Sequence, residues 1–320
     1  MKPTLAPVPW EIGEVRIDRV LEHERPLLSP DVLFAEYDHN LFQRDRQWLT
    51  PELFDAVSGL MVLAFHSFVI RTPDTVVLVD TCTGNHKRRP HKIRYHMNEW
   101  PYLERLRSVG TTPESVDIVI CTHLHAVHVG WNTSWVDGRW VPTFPNATYL
   151  LAETEFDHWR NDHKRACYTK DPYFEDSIQP VIEAGQVQLV EMDHQIDAYV
   201  RLAGCPGHTP GHVAVVVECD GAAAIMSGDI FHHPLQCVRP RWNSCFCVDR
   251  QWAQRTRMEF LEQYADSGIL VMPAHFPTPS AGWIERADGQ FAFRFCDPSD
   301  SITVSYTHLR AHETSLHLVC

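Results

Sequence analysis

The sequence contains no apolar run long enough to cross a membrane. A transmembrane helix needs about 18 to 20 consecutive apolar residues, and no segment of the chain reaches that length. Residues 1–10 contain three prolines and no apolar core of the kind that a signal peptide has. We therefore expect a cytoplasmic protein with no membrane partner.

Positive charge is also scarce. The chain has 28 Lys and Arg against 41 Asp and Glu, which gives a formal net charge of −13. Nucleic-acid binding needs basic surface that displaces counterions from phosphates, so we expect no nucleic-acid partner. The one basic cluster, residues 86–96, predicts either a solvated loop or a patch for an anionic substrate or for an acidic surface of a second subunit.

The ten cysteines include no C-x-x-C pair, which argues against a cysteine zinc site. Cys121 and Cys219 lie in apolar runs and are predicted to be buried thiols. Cys245 and Cys247 form the one close pair, for which a redox or metal role is a minor alternative.

Histidine, in contrast, is abundant, with 20 residues. His123, His125 and His128 fall within six residues, directly after the β-branched apolar run 117–121. Such a run is typical of a buried strand. A strand that opens into a His-rich turn places several imidazoles on one rigid edge, and imidazole is a common ligand of zinc. A chance cluster in a His-rich chain is the alternative.

Three further polar motifs follow strand-like apolar runs, which is where α/β enzymes place their sites. They are Pro-Gly-His-Thr-Pro-Gly-His at 206–212, Gly228-Asp229 and Ala274-His275. With His-x-His-x-x-His before them, their order resembles the metallo-β-lactamase-fold hydrolase superfamily over about residues 12 to 285. The residues around Asp229 and His275 resemble its lactonase and organophosphate-hydrolase branch.

The resemblance implies an α/β (α+β) fold, an αββα sandwich of two mixed β-sheets flanked by helices. The sequence pattern agrees, because predicted strands come in two batches with helices after each. The predicted strands are 11–25, 61–70, 75–80, 117–121, 147–152, 187–192, 199–204, 213–219, 222–227 and, as the last, 269–272, with a hairpin at 136–140. The predicted helices are 98–109, 153–164, 175–184 and one that starts after Asp249 and ends at Gly268.

We predict three segments along the chain. Residues 1–60 form an N-terminal extension that packs on the main domain. Within it, residues 26–60 form short helices that cover the mouth of the site or form a dimer contact. Residues 61–296 form the metallo-β-lactamase-like domain. Residues 297–320, whose last part resembles translated sequencing-adaptor read-through, are interpreted as a non-native tail.

The resemblance also implies a set of metal ligands around Asp229, which is assigned a catalytic role as well. The ligands are His123, His125 and His208 for a first ion, His128 and His275 for a second, and Asp229 as a bridge between the two. Zinc is the implied ion, with one or two per chain, and Fe or Mn are alternatives. A metal-bound hydroxide would attack an ester, a lactone or a phosphotriester of a small-molecule substrate.

Val127 departs from the family pattern, which is His-x-His-x-Asp-His. Valine neither ligates a metal nor orients a hydroxide. The second site would therefore carry less negative charge, and we predict that it is weak, completed by water, or empty. The enzyme would then work with one metal, as some zinc enzymes do, or with much reduced activity.

Other side chains near the motifs are given roles with less direct support. Of the neighbours His232 and His233, one is predicted to contact the substrate or a ligand, and we assign the catalytic role to His233. His212 is predicted to be structural. An apolar pocket around the metals is predicted from Trp131, Trp135, Phe231, Phe276 and Trp283.

Three functions stay open on the sequence alone. The first is a zinc-dependent hydrolase of an ester, lactone or phosphotriester bond. The second is a glutathione-thioester hydrolase or an iron-dependent sulfur dioxygenase with the same ligands. The third is a catalytically degenerate member that binds metal without turnover, which Val127 would explain. The resemblance further implies a homodimer.

Overall fold

The fold is built on two β-sheets that pack face to face. The computed structural model of the protein describes residues 9–162, 171–287 and 289–297. One sheet has eight strands and the other has six. Their facing sides meet in a shared apolar core, in which Val79 and Ile120 of the larger sheet lie with Val215 and Met226 of the smaller one. The predicted αββα class is confirmed.

The structure describes sixteen strands, and two of the turns that join them are of the type expected from the sequence. In chain order they are β1 (Trp10–Ile12), β2 (Val15–Leu28), β3 (Phe54–Asp55), β4 (Leu60–Arg71), β5 (Val76–Val79), β6 (Ile118–Ile120), β7 (Thr133–Val136), β8 (Arg139–Pro142), β9 (Thr148–Ala152), β10 (Val187–Val190), β11 (Val200–Gly204), β12 (Val213–Cys219), β13 (Ala222–Gly228), β14 (Leu270–Pro273), β15 (Gly282–Ala287) and β16 (Gln290–Phe295). Asp137-Gly138 and Asp220-Gly221 have positive φ angles and close the two hairpins that their sequences predict.

The helices are short, with one exception. They are α1 (Pro30–Leu33), α2 (His39–Asp45), α3 (Tyr102–Ser108), α4 (Glu153–Asp162), α5 (Tyr173–Ser177), α6 (Gln179–Glu183), α7 (Leu235–Val238) and α8 (Arg250–Tyr264). The carboxylate of Asp249 accepts a hydrogen bond from the amide of Trp252 at 2.9 Å and caps the longest, α8. The face of α8 that packs on the smaller sheet contains Phe260 and Leu261.

The strand order places several loops at one edge of the sandwich. In the larger sheet the order is β1-β2-β4-β5-β6-β9-β10, with β3 on β4, and β5, β6 and β9 are parallel. The loops after β5 and β6 therefore leave the sheet side by side. In the smaller sheet β13 and β14 are parallel, and β11 ends at this same edge, where β12 begins. The amide of Val213 donates to the carbonyl of Thr122 at 2.9 Å and joins the two sheets there.

Several predicted elements need correction. The strand predicted at 11–25 is a hairpin of β1 and β2, because Gly13 turns the chain with a φ of 60°. The helix predicted at 175–184 is two helices, since Pro180 has no amide hydrogen with which to continue α5. Strand 269–272 is not the last, because β15 and β16 follow it.

The predicted division of the chain into three segments can be compared with the structure only in part. Residues 30–48 contain the short helices α1 and α2, and β3 follows them and pairs with β4. Strand β2 also pairs with β4, across the predicted boundary at residue 60. The division into domains and the tail at 297–320 stay predictions, and residues 1–8, 163–170 and 298–320 lie outside the described residues. Among the described helices, none has the length and apolar character needed to span a bilayer.

Candidate metal centre

Six side chains from four separate loops converge at the edge where the two sheets meet. The loop after β6 contributes three of them, the β11–β12 loop one, and the ends of β13 and β14 one each, namely His123, His125, His128, His208, Asp229 and His275. They are the six residues for which the sequence predicts metal binding. The parallel strand pairs explain the convergence, because the carboxyl ends of neighbouring parallel strands lie side by side.

The six side chains form two groups that share one carboxylate. In the first group, ligand atoms of His123, His125, His208 and Asp229 lie within 4.8 Å of one another. In the second group, ligand atoms of His128, Asp229 and His275 satisfy the same limit. The first group therefore offers four ligands and the second offers three.

The carboxylate of Asp229 presents one oxygen to each group. Its Oδ2 lies 3.2 Å from Nε2 of His208 and 3.6 Å from Nε2 of His123. Its Oδ1 lies 3.2 Å from Nε2 of His275 and 3.3 Å from Nε2 of His128. Each oxygen is thus directed toward a different set of imidazoles, which is the arrangement that a bridging carboxylate needs.

Contacts behind the imidazoles fix their orientation. Nδ1 of His128 donates to Oδ2 of Asp80 at 2.8 Å, and Nδ1 of His275 donates to the carbonyl of Ala64 at 2.9 Å. With Nδ1 protonated, the lone pair of Nε2 in each ring faces Asp229. Such outer partners are the usual way in which proteins orient histidine ligands. Asp80 directly follows β5 and so lies beside the loop after β6.

The protonation states favour bound cations. Burial lowers the pKa of His208 to about 4 and that of His123 well below its ordinary value, so both rings are neutral at pH 7, the state that ligates metals. Burial also opposes the charge of His128, but Asp229 and Asp80 outweigh it and raise its pKa to about 10, so this ring is protonated at pH 7 and a bound cation would take the place of its Nε2 proton. The site therefore attracts positive charge.

Unsatisfied polar atoms point to the same conclusion. Oδ1 of Asp229 and Nε2 of His128 are buried and make no hydrogen bond to the described residues. Buried polar atoms are nearly always satisfied, and an ion between them would satisfy both. Imidazole nitrogens with one carboxylate form a donor set that suits zinc and similar metals. The residues present therefore fit a metal centre.

Val127 lies beside the second group. Its side chain is half-buried and lines the cavity above Asp229 and His275. It contributes no ligand atom, which is why the second group has three ligands rather than four. The predicted weakness of the second site has this geometric basis and stays a prediction.

A cavity of about 400 Å³ opens above the two groups. Its apolar walls include Leu63, Phe65, Val127 and Phe246. The pocket predicted from five aromatic residues is wrong, because none of them lines this cavity. Trp131, Phe231 and Phe276 are core residues, Trp135 is half exposed on the β7–β8 hairpin, and Trp283 packs against the core.

The structure places His232, rather than His233, in the cavity. His233 is buried away from the cavity, where its Nε2 donates to the carbonyl of Leu53 at 3.0 Å and its Nδ1 accepts from the amide of Leu235 at 3.2 Å. With both nitrogens engaged by backbone, it cannot contact a substrate, and its predicted catalytic role is wrong. His232 lines the cavity instead, with Nε2 at 3.2 Å from Oδ2 of Asp229.

The contacts of His212 and of four cysteines can be compared with their predicted roles. Nε2 of His212 accepts the amide hydrogen of Asp229 at 2.9 Å, as the structural interpretation requires. Cys121 and Cys219 are buried, as predicted. Cys245 lines the cavity and Sγ of Cys247 lies 3.5 Å from Nδ1 of His208, and both thiols are free.

The basic cluster divides into two parts. Lys87 and Arg89 are buried and contact Asp176, so the solvated-loop interpretation is wrong for them. Lys92 and Arg94 line the cavity. Asp176 lies 87 positions after Arg89, and no local sequence signal links the two.

Glu155 is a site residue that the sequence reasoning missed. Its buried carboxylate accepts from the amide of Leu124 at 2.9 Å and from the amide of Gly211 at 3.0 Å. It also accepts from Nε1 of Trp159 at 2.6 Å. Leu124 lies between His123 and His125, so this one carboxylate connects the loop after β6 to the β11–β12 loop. Burial raises its pKa.

We expect Glu155→Ala to lower the free energy of unfolding by about 3 kcal/mol or more, because three buried donors lose their acceptor. Urea unfolding measures the loss. Glu153→Ala is the matched control, since Glu153 is exposed in the first turn of the same helix. Equal unfolding midpoints for the two variants would contradict the role of Glu155.

Comparison with known proteins identifies the family and the fold. Residues 65–241 match the family model of the Metallo-beta-lactamase superfamily. The N-acyl homoserine lactonase AiiA of Bacillus thuringiensis subsp. kurstaki is 25% identical over 121 residues, which are 38% of this chain and 40% of that lactonase. The chain therefore matches less than half of the length of this relative.

Two solved structures match almost the whole described fold. The hydrolase AbOPH, of the beta lactamase superfamily, aligns with a TM-score of 0.75 at 22% identity, over 91% of this chain and 98% of its own. AidC, a dizinc quorum-quenching lactonase in complex with the product N-hexnoyl-L-homoserine, aligns with a TM-score of 0.73 at 18% identity, over 91% and 97%. At these identities the likeness establishes the fold.

Proposed function

Because the chain belongs to the metallo-β-lactamase superfamily, we propose that it is a metal-dependent hydrolase that cleaves an ester or a lactone. One observation carries the proposal above all. Asp229, with one oxygen toward each group of imidazoles, lies in the lining of an apolar cavity of about 400 Å³. A substrate in that cavity meets the ligand cluster directly.

The chain's own residues have distinct tasks in this proposal. His123, His125 and His208 would hold a first ion together with Asp229, and His128 and His275 would hold a second with the same carboxylate. A bound divalent ion, which we propose to be zinc, would supply an acidified water and polarise the substrate carbonyl. Asp80 keeps Nε2 of His128 directed inward, and His232 orients the carboxylate of Asp229 through its contact with Oδ2.

The reaction adds one water across an acyl C–O bond and yields a carboxylate, an alcohol and a proton. Burial lowers the pKa of His208 to about 4, so this ring is neutral at pH 7 and can bind a cation without first losing a proton. The cavity walls of Leu63, Phe65 and Phe246 exclude water from the acyl chain. Exclusion of water strengthens each electrostatic contact inside the site.

The apolar walls and the lactonase relatives favour an ester or lactone over a phosphotriester. Leu63, Phe65, Val127 and Phe246 suit a hydrocarbon acyl chain. The curated relative is an N-acyl homoserine lactonase by name, and the AidC structure holds an acyl homoserine product. An acyl lactone is therefore the first substrate to test.

The experiment combines metal analysis with an assay. We expect purified protein to contain zinc and to hydrolyse 4-nitrophenyl pentanoate or N-hexanoyl homoserine lactone. Removal of the metal by a chelator should lower the rate about a thousandfold, since a metal ion supplies several kcal/mol of transition-state stabilisation. Readdition of zinc should restore the rate.

Three results would overturn this proposal. Full activity in metal-free protein would exclude metal-dependent hydrolysis. Iron as the bound metal, with neither substrate hydrolysed, would favour the sulfur dioxygenase alternative. Zinc at full occupancy without turnover of either substrate would instead identify a degenerate, metal-binding member.

A further inference from the structure

Tyr95 lines the cavity, and its hydroxyl makes no hydrogen bond to a described residue. The residue is half-buried and lies on the loop between β5 and α3. His91 lines the cavity from the same loop but is already engaged, because its Nδ1 contacts Oδ1 of Asp171 at 3.0 Å. A phenol can both donate and accept a hydrogen bond. The hydroxyl of Tyr95 is therefore available to a ligand.

The hydroxyl is removed from bulk water and keeps its proton. Burial raises the pKa of Tyr95 above its ordinary value and outweighs the guanidinium groups of Arg94 and Arg25, which lower it. The phenol is thus neutral over the whole pH range in which esters are assayed, and it can donate to an oxygen acceptor. A donor that is left without an acceptor away from water is unfavourable, and no described residue supplies that acceptor.

Aromatic contacts fix the ring of Tyr95 relative to the ligand cluster. Its centroid lies 5.7 Å from that of Phe65, in an edge-to-face arrangement. The centroid of Phe65 lies 4.8 Å from that of His275, which belongs to the second group of predicted ligands. Edge-to-face and offset contacts are the arrangements that aromatic pairs prefer. A single ring thus separates Tyr95 from His275, so a substrate a few bonds long can contact both.

The backbone around Tyr95 is held as well. Its amide donates to the carbonyl of Lys92 at 2.8 Å. The carbonyl of Arg94 accepts from Nη2 of Arg25 and from Nδ2 of Asn98, each at 2.9 Å. Arg25 belongs to β2, so these contacts tie the loop to the larger sheet. A preorganised donor binds a ligand without the cost of ordering a side chain.

Much of the rest of the cavity wall is apolar. Leu28, Leu63, Phe65 and Phe246 belong to it. A plain hydrocarbon chain that packs on these side chains shields the hydroxyl of Tyr95 from water and brings no acceptor to it, which is unfavourable. An oxygen on the chain would supply the acceptor. A site with a polar group to be paired discriminates against a substrate that leaves this group unpaired.

We propose that Tyr95 is a specificity-determining residue whose hydroxyl donates a hydrogen bond to an uncharged oxygen acceptor on the acyl chain of the substrate. The substrate class is then an ester or lactone of an acid with a second oxygen in its chain, such as a keto group. This rests on the proposed function, because the scissile bond must lie at the metal ligands. The second oxygen accepts the hydrogen bond and takes no part in the hydrolysis.

The test uses two pairs of aryl esters, each of equal chain length. 4-Nitrophenyl pentanoate and heptanoate have plain hydrocarbon chains, while the 4-oxopentanoate and 6-oxoheptanoate esters have a keto group beside the terminal methyl. We expect Tyr95→Phe to lower the ratio of kcat/KM for the oxo ester to that for the plain ester about tenfold in at least one pair. This is the effect of losing one hydrogen bond whose acceptor is then left unpaired. The change should lie mainly in KM.

Phenylalanine keeps the ring that packs on Phe65, so the melting temperature of this variant should stay close to that of the unmodified protein. Tyr199→Phe is the matched control, since the hydroxyl of Tyr199 donates to Glu14 and Tyr199 does not line the cavity. It should leave both ratios unchanged. Unchanged ratios for both pairs in Tyr95→Phe would overturn the specificity proposal while leaving the proposed function intact.

If the unmodified protein hydrolyses none of the four esters, the proposed function fails. Calorimetry with the anilides of 4-oxopentanoic and 6-oxoheptanoic acid then tests Tyr95 separately, with the anilide of pentanoic acid as the reference without a keto group. Binding of either oxo anilide about tenfold weaker in Tyr95→Phe, with the reference unchanged, would support the acceptor site. Equal binding in both proteins, or no binding to either, would refute it.

Discussion

Asp229→Ala is expected to lower hydrolysis of a neutral aryl ester at least about a thousandfold and to release the metal from both groups, because this carboxylate belongs to each of them. Its loss would remove the negative charge that the two groups share. Steady-state kinetics and metal content by mass spectrometry, measured on the same preparation, check both effects.

Asp220→Asn is a suitable control for this change. Asp220 is exposed in the β12–β13 turn, with a φ of 51°, a conformation that asparagine tolerates. Asp229→Asn, which keeps the shape of the side chain and removes its charge, distinguishes lost charge from lost volume. Near-normal activity and metal content in Asp229→Ala would mean that Asp229 is not a shared ligand.

Val127→Asp is expected to convert a chain that binds close to one ion into one that binds close to two. Val127 directly precedes His128 and lines the cavity beside His275, so a carboxylate there adds a charged ligand to the group that has three. We expect the affinity for the second ion to rise at least about tenfold, and activity to rise with it. Zinc titration by calorimetry measures the stoichiometry.

Val127→Asn separates charge from size in this experiment, since its amide oxygen is neutral. The half-buried position of Val127 tolerates a polar side chain. Two tight and equal sites in the unmodified protein would refute the prediction of a weak second site. An unchanged stoichiometry in Val127→Asp would show that position 127 does not face the second ion.

The six side chains that the family resemblance named as ligands lie together for a physical reason. They follow apolar runs, and those runs are strands whose ends meet at one edge of the sandwich. The αββα class also came from the resemblance, and the order of predicted strands and helices agreed with it. The Asp-Gly turns and the cap at Asp249 were accessible from local chemistry.

The predictions from sequence were wrong where the position of a side chain depends on residues that are distant in the sequence. His232 and His233 are adjacent and chemically identical. A hydrogen bond from Nε2 of His233 to the carbonyl of Leu53, which is 180 positions away in the sequence, holds this second ring outside the cavity. From the sequence alone, Lys87 and Arg89 are predicted to be surface residues. In the structure, the fold brings Asp176 into contact with both. The five aromatic residues were assigned to a pocket by proximity along the chain, which does not specify the direction of a side chain.

Glu155 illustrates the same limit. Nothing near it in sequence shows that its carboxylate reaches two separate loops. A glutamate in the first turn of a helix is ordinarily a favourable charge at a helix start, so local reasoning gives it no other role.

The two sheets contribute equally to the ligand cluster, three side chains from the loop after β6 and three from the loops of the smaller sheet. Bound ions would therefore cross-link the two halves of the molecule. Ligands that bind only the folded state stabilise it in proportion to the logarithm of their concentration over Kd. The melting temperature of this protein should consequently rise with the zinc concentration of the solution, so that a melting curve reports how much metal is bound.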